Sequence, residues 1–311
     1  MSDSAPGRYV GRFAPSPTGP LHFGSLLAAC ASYLQARGAG GQWLLRIEDI
    51  DPPREQPGAA RMIIDTLAAF GFEWDGPVHY QSACRTRHRE LIEKLQQDGY
   101  AYPCSCSRSD LALARRGSLG AIYPGTCRNG STGGRVAIRV LTDPQPITFQ
   151  DGLQGQQTQC LELATGDFVI RRRDGLIAYH LAVVADDYDQ GVTEVVRGID
   201  LMDSTPRQIL LQRRLGIATP GYLHIPVIVD EAGKKLSKQT GASALRCSHC
   251  GPTLVAALRA LAQSPPDDLA DAGLADIWAW ALRHWNVRLL ASKTSIAVTD
   301  YPLAATRNGL S

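Results

Sequence analysis

Residues 8–25 read Arg8-Tyr9-Val10-Gly11-Arg12-Phe13-Ala14-Pro15-Ser16-Pro17-Thr18-Gly19-Pro20-Leu21-His22-Phe23-Gly24-Ser25, and this stretch decides the fold class. Residues 8–14 suit a buried strand. Pro15 to Pro20 holds three prolines and a glycine, so it is a turn that cannot be helical. From Leu21 to Arg37 apolar residues recur at helical spacing, and Gly38 is the expected stop. A second strand is expected over Gln42–Ile47, then helices over 61–70 and 86–97. Strand, helix, strand, helix predicts an α/β fold: a Rossmann-like parallel sheet with helices on its faces.

Further along, residues 100–190 change character. They are rich in Gly, Pro and Ser, with short β runs at 136–141, 167–171 and 176–183. This predicts an inserted α+β subdomain over 101–189 between the two halves, 1–100 and 190–245, of the parallel α/β domain. Regular signals return with a strand at 193–197, a helix at 204–214 and a strand at 224–230. Region 246–311 reads as a short helical C-terminal part, with Trp278, Trp280 and Trp285 expected in its core and the last fifteen residues irregular. No internal repeat is visible.

The chain has 311 residues, 44% hydrophobic and 20% charged, which excludes disordered and fibrous classes. No run of 18 apolar residues suggests a membrane span, and Met1–Arg8 lacks an apolar signal core, so a cytoplasmic location is expected. The net charge of +2 hides a skew, because only five basic residues are Lys and three of them, Lys234, Lys235 and Lys238, lie within five positions. An ammonium on a mobile stem suits a migrating phosphate better than a rigid guanidinium fork does; the bland alternative is a solvated charged loop. A strand, a tight turn and a helix start around His22, Gly24 and Ser25 make an anion site, the alternative being a helix start with a capping His.

Of eight cysteines, Cys30, Cys84 and Cys160 stand alone and suit small core or boundary positions. Cys104, Cys106 and Cys127 share one turn-rich segment and offer three corners of a tetrahedral zinc site. Tyr123, Asp110, Ser107 and water are each open as the fourth ligand. Cys247-Ser248-His249-Cys250 is a second possible cluster, or a source of one ligand for the first.

His22-Phe23-Gly24-Ser25 and Lys235-Leu236-Ser237-Lys238 together resemble the two ATP-binding signatures of class I aminoacyl-tRNA synthetases. Arg12–Gly19, Leu45–Asp51, Tyr179–Asp187 and Glu194–Leu201 are similar, in the same order, to motifs of the glutamyl and glutaminyl branch. Only about 70 residues follow the Lys loop, where glutamyl-tRNA synthetases carry a large anticodon-binding part. With the cysteine cluster, this identifies the chain as similar to the truncated glutamyl-Q tRNA(Asp) synthetases. That resemblance implies activation of L-glutamate by ATP with Mg2+, independent of tRNA, and transfer to queuosine in the anticodon of tRNA(Asp). It implies one structural Zn2+ on Cys104, Cys106, Tyr123 and Cys127, and a monomer without membrane contact.

Within that family Arg12 and Arg197 are expected to offer planar forks to glutamate carboxylates, and an arginine-lined site should reject glutamine. Glu48 should hold the α-ammonium beside Tyr179, with Ser16 orienting the substrate. His22, Gly24, Ser25 and Lys238 should bind ATP, and His22, Lys235 and Lys238 should serve catalysis by stabilising phosphate charge. Arg171, Arg172 and Arg173 are candidates for RNA contact, or simply a solvated face. Two other readings share these motifs: an ordinary glutamyl-tRNA synthetase core that borrows a separate module, and a non-catalytic RNA-binding paralogue. The presence of Arg12, Glu48, Arg197 and Lys238 argues against the latter.

Overall fold

A computed structural model describes residues 8–107, 109–112, 114–131, 133–230, 233, 235, 243–245 and 247–297, with only the backbone of Cys247. The chain opens with β1 (Val10–Phe13), α1 (Phe23–Gly38), β2 (Gln42–Ile47), α2 (Ala59–Ala69), β3 (His79–Tyr80) and α3 (Arg85–Gln97). The three strands pair in parallel, in the order β1-β2-β3, with Phe13 opposite Leu45 and Arg46 opposite His79. Next come β4 (Ala101–Cys104), the short hairpin β5 (Arg116–Gly117) and β6 (Gly120–Ala121), β7 (Ala137–Val140), β8 (Ile147–Asp151), β9 (Gly155–Gln159), α4 (Leu161–Ala164), β10 (Phe168–Arg171) and α5 (Tyr179–Asp189). Here β10, β7 and β4 form an antiparallel sheet in that order.

The remaining elements are β11 (Glu194–Gly198), α6 (Thr205–Leu215), β12 (Gly221–Ile225), β13 (Val227–Val229), α7 (Cys250–Ala260), α8 (Leu274–His284) and β14 (Ser295–Ala297). Strands β11 and β12 run parallel, and the β8–β9 hairpin joins their sheet where Asp151 pairs with Tyr222. A backbone hydrogen bond from Thr193 N to Val10 O, 2.9 Å, lays β11 beside β1. The parallel strands thus run in the order β3-β2-β1-β11-β12, the α/β arrangement expected from the sequence.

Parallel sheets are covered on both faces, and the pleat sorts side chains between two cores. Phe13, Trp43, Leu45, Ile47 and Val196 face a core built with α1, α2, α7 and α8. Val195 and Tyr222 face the other, with α3, α5, α6 and the β4–β7–β10 strands. Trp278 is buried in the first core, and Trp280 and Trp285 pack against it half-buried. The same alternation turns Arg12, Arg46 and Arg197 toward the side where α5 lies.

Three local expectations are corrected. Residues 176–183 are not a strand: from Tyr179 they belong to α5. Leu181–Asp187 are buried without a break, and a helix enclosed on nearly all sides loses the periodicity that separates it from a buried strand. The strand expected over 224–230 is split at Pro226 into β12 and β13, since proline has no N–H for the ladder. The left-handed turn after α1 falls on Gly40, φ 64°, not on Gly38.

Candidate active site

A cavity of about 540 Å³ opens at the C-terminal ends of β1, β11 and β12. The chain leaves β1 toward β2 in one direction and β11 toward β12 in the other. Ligand crevices of open α/β sheets lie at such a switch point. Arg12, Ser16, His22, Gly24, Ser25, Glu48, Tyr179, Arg197 and Lys235 all line this one cavity. Lys238, with Lys234, Leu236 and Ser237, lies outside the described residues.

On the β1 wall, Arg12 is 4% exposed and donates from Nε to Asp187 Oδ1 at 3.1 Å. The same oxygen receives Arg46 Nη2 at 2.7 Å, and Arg46 Nη1 reaches Gln190 at 2.7 Å. Burial would raise the Asp187 carboxyl, but Arg12 and Arg46 together hold it below the ordinary range. Glu48 lies 3.6 Å from Arg46. Its burial outweighs the attraction of Arg46 and Arg12, and its carboxyl is pushed up to about 7.

On the β11 wall, Arg197 donates from Nε to His224 Nε2 at 3.0 Å and from Nη2 to Thr205 Oγ1 at 2.8 Å. Nη2 also approaches Leu201 O at 3.4 Å, and Nη1 lies 3.5 Å from Tyr179 Oη. Arg197 is 5% exposed, and among the described residues no carboxylate lies within ion-pair distance of it. Burial raises the Tyr179 hydroxyl, against the pull of Arg197, so it stays a neutral hydroxyl.

On the third side, His22 is the N-cap of α1, its Nδ1 accepting from Ser25 N at 3.3 Å. A neutral ring then carries its hydrogen on Nε2. Capping and cavity-lining roles therefore coexist in one residue. A Cβ at Gly24 would stand 3.1 Å from His22 Cε1 and 3.2 Å from Nδ1, tighter than ordinary contact. Lys235 sits beside β13 and pairs with Asp200 at 2.5 Å. Ala244 bridges to His22, and Leu245 N donates to Leu21 O at 2.9 Å, so beyond the Lys-rich segment the chain returns to two residues that line the cavity.

Away from this cavity, the cysteine cluster assembles around Tyr123. Its Oη lies 3.4 Å from Cys104 Sγ and 3.7 Å from Cys106 Sγ, and Cys106 Sγ is 3.5 Å from Cys127 Sγ. The three sulfurs lie within 4.8 Å of one another. Arg139, 8% exposed, donates to Cys104 Sγ at 3.3 Å and stacks 3.9 Å over the Tyr123 ring. Three thiolates and a phenolic oxygen around a divalent ion leave excess negative charge, and Arg139 supplies the balancing positive one. This donor set fits zinc. Of the other fourth-ligand candidates, Asp110 Oδ2 is taken by the backbone N–H and hydroxyl of Ser107 at 2.7 and 2.8 Å. Of the 247–250 cluster, Cys250 is buried in the first core and His249 is exposed on Ser248, so these two do not share a site; the Cys247 side chain lies outside the described residues.

Arg172 pairs with Asp51 at 3.2 Å and Asp174 at 2.7 Å. It lines a smaller cavity, about 190 Å³, that shares Ser16, Thr18, Glu48, Arg54 and Tyr179 with the first. Arg173 donates to Arg135 O instead. The sequence reading assigned no role to Arg46, Asp187, Asp151 or His224. The signal available for His224 was an ionisable residue inside the apolar run Tyr222-Leu223-His224-Ile225.

Residues 9–250 match the family described as class I tRNA synthetases (E and Q), catalytic domain. The chain is 55% identical over 283 residues to a glutamyl-Q tRNA(Asp) synthetase of Dechloromonas aromatica, covering 89% of this chain and 94% of that one. It is 50% identical over 297 residues to a protein of the same name from Pseudomonas fluorescens, covering 95% and 98%. The solved glutamate-tRNA synthetase of Elizabethkingia anophelis matches it with a TM-score of 0.78 at 23% identity, over 94% of this chain and 69% of that one, a likeness of fold alone. No helix among the described residues is long and apolar enough to cross a membrane. The chain belongs to the class I tRNA synthetases of the glutamyl and glutaminyl branch, among the glutamyl-Q tRNA(Asp) synthetases.

Proposed function

We propose that the protein activates L-glutamate with ATP and transfers it to queuosine in the anticodon of tRNA(Asp). The observation that carries the glutamate part is Arg197, a buried guanidinium that faces the cavity with no carboxylate of the described protein beside it. A permanent cation in that position is best balanced by a carboxylate that enters. Arg12 lines the same cavity from the β1 wall and offers the second guanidinium. Glu48, with Tyr179 close by, takes the α-ammonium, and that bond draws its carboxyl back toward the ionised form. Ser16 orients the substrate. Glutamine is rejected because its NH2 would meet donors.

The α-carboxylate attacks the α-phosphorus of ATP in line and pyrophosphate leaves, so positioning and charge stabilisation supply the catalysis. His22, Gly24 and Ser25 at the α1 N-terminus receive phosphate, with Lys235 and Lys238 neutralising it as charge develops. Mg2+ enters with the nucleotide and shields its phosphate charge. A hydroxyl of the modified nucleoside then attacks the glutamyl carbonyl of the adenylate, forming the ester while the anhydride bond breaks and AMP leaves with the hydroxyl proton. The smaller cavity adjoins the first through Ser16, Thr18, Glu48, Arg54 and Tyr179 and is the place we assign to that nucleoside. Cys104, Cys106, Cys127 and Tyr123 would hold Zn2+, which would stiffen the segment around β4 to β7 from outside the reaction cavity.

The test is transfer of labelled glutamate to an isolated anticodon stem-loop. A stem-loop carrying queuosine should accept nearly as well as whole tRNA(Asp), one carrying guanosine should accept none, and pyrophosphate exchange should need no RNA. Glutamate on the 3′-terminal adenosine would overturn the reading in favour of an ordinary synthetase.

A further inference from the structure

We infer that Asp151 and His224 are positioning residues that hold the Arg197 guanidinium in its substrate-binding pose by fixing one tautomer of the imidazole. The inference rests on the proposed role of Arg197 toward a glutamate carboxylate. His224 is fully buried in β12, directly opposite Arg197 of β11 in the parallel register. Arginine nitrogens only donate, so the 3.0 Å bond from Arg197 Nε makes His224 Nε2 an acceptor. The ring hydrogen therefore sits on Nδ1 and is donated to Asp151 Oδ2 at 2.6 Å. Burial, and Arg197 beside it, hold the imidazole below its ordinary range against the pull of Asp151, so the neutral ring is the working form.

The other Asp151 oxygen explains why the tautomer is fixed. Oδ1 accepts three backbone N–H groups: Leu153 at 3.0 Å, Gln154 at 2.9 Å and His224 at 3.3 Å. An asparagine at this position must keep its carbonyl oxygen there, because an NH2 would face three donors. Its amide nitrogen is then left pointing at His224 Nδ1. The ring responds by moving its hydrogen to Nε2, where it confronts Arg197 Nε–H. One isosteric change at a buried turn thus unseats a guanidinium it never touches.

The experiment follows Asp151→Asn in the full-length protein by two independent readouts. Nitrogen-15 NMR of histidine-labelled protein should show His224 protonated on Nδ1 in the wild type and on Nε2 in the variant. In RNA-free pyrophosphate exchange, the KM for glutamate should rise about ten- to a hundredfold, the scale of one charge-assisted hydrogen bond, while KM for ATP and kcat move less than about twofold. His224→Gln, whose amide oxygen can accept from Arg197, should recover most of what His224→Leu loses; this pair serves also if Asp151→Asn fails to fold. A wild-type ring protonated on Nε2 overturns the inference, as does a switched tautomer with unchanged glutamate KM, or equal effects of Gln and Leu at 224. Arg197→Lys separates the two levels: unchanged glutamate KM there removes the substrate role of Arg197, while the tautomer readout still judges the relay.

Discussion

The two walls of the cavity each bury an arginine, and they differ in what balances its charge. On the β1 wall, Arg12 and Arg46 share Asp187 and Glu48 lies 3.6 Å from Arg46, so each guanidinium there has a carboxylate of the fold beside it and the sheet is tied to α5. On the β11 wall, among the described residues, Arg197 meets an imidazole nitrogen, two hydroxyls, a carbonyl and the Tyr222 ring, and no carboxylate. A buried charge without a counter-charge costs free energy, so this wall holds a cost that an incoming anion removes. The first arrangement ties Arg12 to the fold through Nε even as it faces the cavity, whereas the second leaves a guanidinium whose charge only a ligand balances.

The sharpest way to break this contrast is to replace each arginine by Met, which keeps the stem length. Arg197→Met should lower kcat/KM for glutamate by about 10²- to 10³-fold, the loss of two charge-assisted bonds, while leaving thermal stability equal or higher. Arg12→Met should weaken glutamate binding too, but should in addition destabilise the fold by about 1–3 kcal/mol, since Asp187 keeps Arg46 but loses one of its two donors. Equal losses of melting temperature in both variants would abolish the distinction.

The cysteine cluster extends the same logic to a site where the excess charge is negative and Arg139 is the balance. Cys104→Ser should abolish binding of one zinc per chain and loosen the segment around Tyr123, measured by metal analysis and hydrogen exchange. Arg139→Met should weaken zinc about ten- to a hundredfold without removing a ligand. Zinc content that is the same in wild type and Cys104→Ser would exclude the site.

Glu48 belongs to the balanced wall yet is held up at about 7, against an ordinary 4.5, chiefly by burial. A carboxyl raised in the folded state favours folding while it is protonated, and that contribution is lost as pH rises through about 7. Glu48→Gln should therefore match wild-type stability near pH 4.5 and exceed it by roughly 3 kcal/mol or less above pH 7. Glutamate affinity of the wild type should move the other way, rising across the same window as the carboxylate forms to hold the ammonium. A stability difference between the two proteins that is independent of pH would mean that Glu48 titrates in the fold as it does in the unfolded chain.

Much of this geometry is legible in the sequence where a residue closes a strand inside a long motif. Arg12 and Arg197 each sit at the C-terminal end of a buried β run, next to turn residues, and period-2 alternation then fixes the face. What balances them is not legible. Asp187 lies 175 positions from Arg12, and Asp151 lies 73 positions from His224. Local pattern carries no record of such pairings. Asp151 was further obscured because its hairpin lies inside the segment read as an insertion, while its tip pairs with β12. Helix α5 is illegible for a related reason: burial on nearly all sides erases its amphipathic signature, and with it the clue that Tyr179 and Asp187 project from one helix.

Gly24 gives the smallest expected effect and tests the phosphate side against both walls. It lies in the first turn of α1, where alanine is the better helix former by about 0.5–1 kcal/mol. Considered as a helix residue alone, Gly24→Ala should stabilise the protein. The added methyl would, however, stand 3.1–3.2 Å from the His22 ring, tighter than ordinary contact. The ring must then shift by a few tenths of an ångström while its Nδ1 holds a 3.3 Å cap on Ser25 N. The expected outcome is a melting temperature that is unchanged or slightly raised, with the KM for ATP increased about three- to tenfold, on the order of 1 kcal/mol, and the KM for glutamate unaltered. A rise in glutamate KM alone would move the His22 end of the cavity into the amino-acid site. An unchanged ATP KM with raised stability would leave Gly24 without a role at the nucleotide, and His22 as a cap only.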